Sequence, residues 1–174
     1  MEHWIVYRAD DGVELARGCS PDAGAAARQV LAEGQATMLV PADAVQTIPT
    51  DLGVIKAALH QAIDGEAEQQ RQRFITPGAG QALVYLAKVR EAEAVVADAR
   101  APAPILEAEA AALGQTVAAL AAEVLAANAA WTSASAAIEA ARRAAKAAVS
   151  AASNFAALKT ASTVDWAAVT ATGG

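Results

Sequence analysis

From Val117 onward an apolar residue returns every seven positions: Val117, Val124, Trp131, Ile138, Ala145 and Ala152. A second series follows three residues behind each: Leu120, Ala127, Ala134, Ala141, Ala148 and Phe155. This recurrence is the strongest constraint in the chain. It fits a long helix packed along its whole length, either on the preceding helices or on copies of itself. Leu120, Val124, Trp131 and Ile138 are the large side chains of the repeat and the candidates for packing or interface contacts. The rest of the seam is small, since 25 of the 52 residues from 101 to 152 are Ala. Small seam residues let helix axes approach closely. A methyl buries little area, so 52 Ala against seven aromatic residues in 174 make an aromatic-lined cofactor pocket hard to build.

The front of the chain has a different texture. Residues 4–8 (Trp-Ile-Val-Tyr-Arg) and 13–17 (Val-Glu-Leu-Ala-Arg) are β-prone runs around Asp11-Gly12, a hairpin signal. Ser20-Pro21-Asp22 reads as a helix start, which predicts a short helix through Val30 and Leu31 ending at Gly34. Thr37-Met38-Leu39-Val40 then reads as a third strand.

Thr50 is placed to cap a helix with the apolar stripe Leu52, Ile55, Leu59, Ala62 and Ile63. Phe74 to Gly80, with one Pro and two Gly, should stop it. A second helix is expected from Gln81 to about Ala99, burying Leu83, Leu86, Val89 and Val96. A short one through Ile105, Leu106 and Leu113 should end at Gly114. The predicted fold class is α+β, predominantly α. A small β-rich module over 1–49 (hairpin, short helix, third strand) precedes an Ala-rich helical hairpin or bundle over 50–157. An extended or loosely ordered tail over 158–174 completes the division.

Thirteen basic and nineteen acidic residues give a net charge of −6. No segment carries a basic stripe, so phosphate-driven nucleic-acid binding is not expected. Met-Glu-His-Trp lacks the basic n-region of a signal peptide. Ala110 to Ile138 is long enough to span a bilayer, but Glu123 near its centre and the weak hydrophobicity of Ala argue against insertion.

Catalytic inventory is thin. His3 lies beside the amino terminus. His60 and Asp64 stand four apart on one helix, a metal-ligand spacing without a second pair, and a solvated polar face is the expectation. Gly78-Ala79-Gly80 opens a helix but lacks the remaining residues of a phosphate loop. Cys19, the single cysteine, is expected to be a small buried side chain. Glu91/Glu93 and Glu107/Glu109 are two apart and read as surface charge. Glu139 can reach Arg142 and Arg143 on an outer face. Trp4 and Trp166 sit near the chain ends. These residues predict no catalytic, cofactor-binding or metal site.

One ordered set of residues is more specific. Ala62-Ile63-Asp64-Gly65-Glu66-Ala67 leads to Arg71-Gln72-Arg73-Phe74-Ile75-Thr76-Pro77-Gly78-Ala79-Gly80-Gln81, then Tyr85, Lys88 and Glu91-Ala92. Pro104, Leu106, Glu107-Ala108-Glu109-Ala110, Gly114-Gln115-Thr116, Val124, Trp131, Ile138-Glu139, Arg142 and Ala145-Lys146 follow. Over about residues 52–155 this resembles the helical region of tailed-bacteriophage tail, tail-fibre or tail-fibre-assembly proteins. The resemblance implies a non-enzymatic virion protein of the tail, made in the bacterial host cytoplasm. Its partners would be other virion proteins and copies of itself, in a homo-oligomer, with no cofactor, nucleic acid or membrane. A tail-fibre assembly chaperone and a capsid decoration or head-fibre protein are the alternative expectations.

Overall fold

A computed structural model describes residues 1–75 and 78–171. In chain order the elements are β1 (Glu2–Arg8), β2 (Glu14–Ser20), β3 (Gln35–Val40) and a 3₁₀ turn at Ala42–Val45. The helices α1 (Leu52–Gln72), α2 (Ala79–Ala97), α3 (Pro104–Leu113), α4 (Val117–Ala151), α5 (Phe155–Ser162) and α6 (Trp166–Ala171) follow. The fold is therefore α+β and predominantly α. Contacts divide the chain into two compact units. The first joins Met1–Ala67 with Glu139–Asp165, and the second joins Glu68–Ile138 with the segment from Trp166 onward.

The first unit is built on an antiparallel sheet in the order β2-β1-β3. Asp11 and Gly12 make the hairpin turn, with Gly12 at φ 70° and Asp11 Oδ1 accepting the Val13 N–H at 3.0 Å. Alternation along β1 then decides what each face meets. Ile5 and Tyr7 pair with Met38 and Ala36, and Ile5, Tyr7, Met38 and Val40 are buried. Tyr7 faces Phe155 at the start of α5, with ring centroids 6.0 Å apart. Burial raises the Tyr7 hydroxyl above its ordinary pKa. Trp4 points the other way, onto Ala25 and Ala26. Its indole also lies over Gly18, where a Cβ would collide with the ring.

Residues 21–31 do not form the expected short helix; they run as bends and turns. Gly24 takes φ +77°, outside the helical range, and the Glu2 carboxylate accepts the N–H groups of Gly24 (2.7 Å) and Ala26 (3.2 Å). A partner from β1 thus captures donors that a helix would have used. Those bonds hold the Glu2 carboxyl below its usual range, the Gly24 N–H contributing most and the Ala26 N–H next.

Helix α1 begins at Leu52, and its cap is Asp51 rather than Thr50. Asp51 Oδ1 accepts the Gly53 N–H at 2.8 Å, whereas the buried Thr50 hydroxyl donates to Glu14 Oε2 at 2.6 Å. Ile55, Ile63 and Ala67 are its buried residues, and Ala62 is exposed. Thr76 and Pro77 of the expected break lie outside the described residues. Gly78, at φ 129°, precedes α2.

The core of the second unit gathers Val89 and Ala92 of α2, Leu106 and Ala110 of α3, and Leu120, Ala121 and Val124 of α4. Only Val89 matches the expected buried stripe of α2. Leu83, Leu86 and Val96 are 70%, 55% and 69% exposed. The helix is apolar on more than one side, so the inward face is chosen by tertiary packing rather than by the sequence stripe. Helix α3 starts with Pro104 and ends at Gly114, φ 68°.

Along α4 the seven-residue register holds better at its first position than at its second. Val124, Ile138, Ala145 and Ala152 are buried and Trp131 is half-buried, yet Ala127 and Ala148 are exposed while Ala121 and Val149 are buried instead. A straight helix advances 3.6 residues per turn, so a strict heptad stripe drifts about 20° per repeat. Over 35 residues the buried row shifts onto neighbouring positions. By length and composition alone α4 could also cross a membrane. Residues 158–174, expected to be extended or loosely ordered, are helical over most of their described part, in α5 and α6.

Candidate functional site

The densest polar arrangement lies in the first unit, where α1 and the end of α4 run antiparallel. Four-residue spacing puts Lys56, His60 and Asp64 on one face of α1, and Ser150, Lys146 and Arg142 on one face of α4. Lys56 Nζ donates to the Ser150 carbonyl at 2.8 Å. One turn on, His60 Nε2 is 3.1 Å from the Lys146 carbonyl. Another turn on, Asp64 takes Lys146 Nζ at 2.6 Å on Oδ2 and Arg142 Nη1 at 2.5 Å on Oδ1. Arg142 also grips Glu139 through Nε (2.9 Å) and Nη2 (2.7 Å).

Charge-assisted bonds set the protonation states here. The Lys146 ammonium first, and the Arg142 guanidinium next, hold the Asp64 carboxyl below its ordinary range. Glu139, then Asp64, raise the pKa of Arg142. The expected outer-face pair therefore forms to Arg142, which is turned toward α1 and only 23% exposed in its side chain. Arg143 remains exposed.

His60, Ser150 and Asp64 superficially resemble a hydrolytic triad, and Ser150 Oγ is 3.3 Å from His60 Nε2. The hydrogen bonds argue otherwise. A carbonyl only accepts, so Nε2 beside the Lys146 oxygen carries the proton and cannot act as base. Ser150 Oγ itself donates to the same carbonyl at 2.9 Å. Both Asp64 oxygens meet cations of α4 rather than orienting the imidazole. His60 and Asp64 thus bond to α4, and Asp64, with its side chain 45% exposed, stays partly in the solvated face that was expected. Among the described residues there is no group of three His, Cys, Asp or Glu able to hold a metal.

The remaining sequence candidates are scattered. Cys19 is exposed on β2, not buried, and the register sets it opposite His3. Trp4 and Trp166 are buried. Leu120 and Val124 belong to the core of the second unit and Ile138 is fully buried, while Trp131 lies tilted against Phe74, centroids 6.5 Å apart. A depression of about 290 Å³ in the first unit is lined by Leu59, Ala62, Ile63, Glu66, Lys159 and Val164 among others, without a catalytic grouping.

Two acids missed by the sequence reading, Glu2 and Glu14, and one it took for surface charge, Glu91, hold the fold together. Glu2 gathers the 21–31 segment, and Glu14 receives Thr50. Glu91 accepts the N–H groups of Ile105 (3.0 Å) and Leu106 (2.9 Å), capping α3 where the N-cap Ala103 offers no side-chain acceptor. Pro104 followed by bare N–H groups was the available signal, because such donors need a partner from elsewhere. Lys88 adds an ion pair to Glu109 between α2 and α3, at 2.5 Å. Against known proteins, no family model, curated protein or solved structure matches this chain.

Proposed function

We propose that the chain is a non-enzymatic structural protein of a tailed-phage virion, a tail or tail-fibre-associated component that docks by helix packing. The observation that carries docking is the outer face of α2, where the neighbouring Leu83 and Leu86 remain 70% and 55% exposed. Monomeric proteins rarely leave large side chains in a row without a partner. The ordered residues between Ala62 and Lys146 that resemble phage tail proteins supply the address. His60, Asp64, Arg142 and Lys146 are spent on mutual pairing, which favours a scaffold over a reaction centre. The partners on this reading are other virion proteins and further copies of the chain, with the virion as its location.

Protein mass spectrometry on purified particles, beside the lysate of infected cells, tests this. A structural component is retained in the particles. Presence in the lysate with absence from the particles would replace this reading with that of an assembly chaperone.

A further inference from the structure

The outer face of α2 repeats at alternating steps of three and four. Leu83, Leu86, Arg90, Glu93 and Ala97 are all exposed. These positions form a heptad seam turned away from the core that Val89 and Ala92 enter on the opposite side. Lys88 and Glu91, the charged neighbours on the inner side, are engaged with α3, through Glu109 and the Ile105 and Leu106 N–H groups. The centre of the exposed seam therefore consists of one cation and one anion, Arg90 and Glu93.

We propose that this face pairs with the same face of a second copy, the two α2 helices running antiparallel. The charge order on the seam argues for that occupant. A two-fold interface requires that if residue i meets residue j of the partner, then j meets i. Set antiparallel about the midpoint between Arg90 and Glu93, each Arg90 meets the other copy's Glu93, which gives two reciprocal ion pairs. The same register brings Leu86 opposite Ala97, a large apolar residue against a small one. Parallel pairing in register would set Arg90 on Arg90 and Glu93 on Glu93, like charges within the seam. The seam is thus complementary to itself in one direction only. This inference concerns self-association in solution and does not depend on the virion address. A chain missing from particles would still pair, and a chain found in them could fail to.

Sedimentation equilibrium of the full chain across a wide concentration range tests the pairing. The wild type should form dimers. Arg90→Glu and Glu93→Arg should each weaken the dimer at least about tenfold by placing like charges together, and the double exchange should restore it. Wild-type protein that stays monomeric, single variants that associate like the wild type, or a double exchange without recovery would each overturn the proposal. Direction is read separately in a Cys19→Ser background. Mixing Leu86→Cys with Ala97→Cys chains under oxidation should give the mixed disulfide, whereas homodimeric Leu86→Cys disulfides in its place would overturn the antiparallel arrangement. Circular dichroism of each variant confirms that the helices remain formed.

Discussion

Lys146 Nζ stands 2.6 Å from Asp64 Oδ2, a pair that joins helices 82 residues apart in the chain. The Asp64 side chain is 45% exposed, so its attraction to Lys146 and Arg142 is partly screened by solvent. The carboxyl is nonetheless held below its ordinary value near 3.8. A lowered folded-state pKa contributes stability above the unfolded pKa, and that contribution is lost as the pH falls through the folded value. Asp64→Asn should therefore lower Tm at pH 7, and the gap to the wild type should close as the pH is taken below about 4. Raising salt to about 1 M should narrow the pH 7 gap as well. Thermal melts at both pH values check this.

Gly12 and Gly114 both take φ near +70°, yet their surroundings differ. A Cβ at Gly12 would stand 2.5 Å from Asn154 Oδ1 and 2.8 Å from the Ala156 nitrogen, whereas one at Gly114 meets open space. Gly114→Ala should cost only the backbone strain, about 1 kcal/mol. Gly12→Ala adds a collision with the cap of α5 and should cost about 2–4 kcal/mol. Denaturant midpoints of the two variants separate strain from contact.

The α5 cap itself is open to test. Asn154 Oδ1 accepts the Ala157 N–H at 2.8 Å, so Asn154→Ala should destabilise by about 1 kcal/mol. Tyr7 faces Phe155, the first residue of that helix, and near-ultraviolet circular dichroism should report any loosening there.

Leu106 and Leu83 make the sharpest comparison in the second unit. Leu106 is fully buried, and Leu106→Ala should cost about 2–5 kcal/mol. Leu83 is 70% exposed, and Leu83→Ala should stay within about 0.5 kcal/mol in dilute protein. Chemical denaturation at low concentration measures both.

These pairs also mark what the sequence could disclose. Strand and helix types followed from local signals: Asp11-Gly12 for the hairpin, Pro104 and Gly114 for the limits of α3, the heptad for α4. Facing did not. Nothing local tells Leu83 from Val89 on α2, because the choice is made by Leu106 and Leu120 in elements that arrive later in the chain. The short helix expected after Ser20 failed for the same reason, since Glu2 takes its donors from across the sheet. His60 and Asp64 were visible as a polar pair, but their partners lie more than 75 residues away on α4. Long-range polar pairing leaves no periodic trace.

On the proposed function the chain packs into a tail structure. The most direct test of this is the copy number of the chain per purified particle, measured by quantitative mass spectrometry against the major capsid protein. A tail component should be present at a fixed ratio far below that of the capsid protein. A ratio comparable to the capsid protein would place it on the head, and its absence from particles would contradict a structural role.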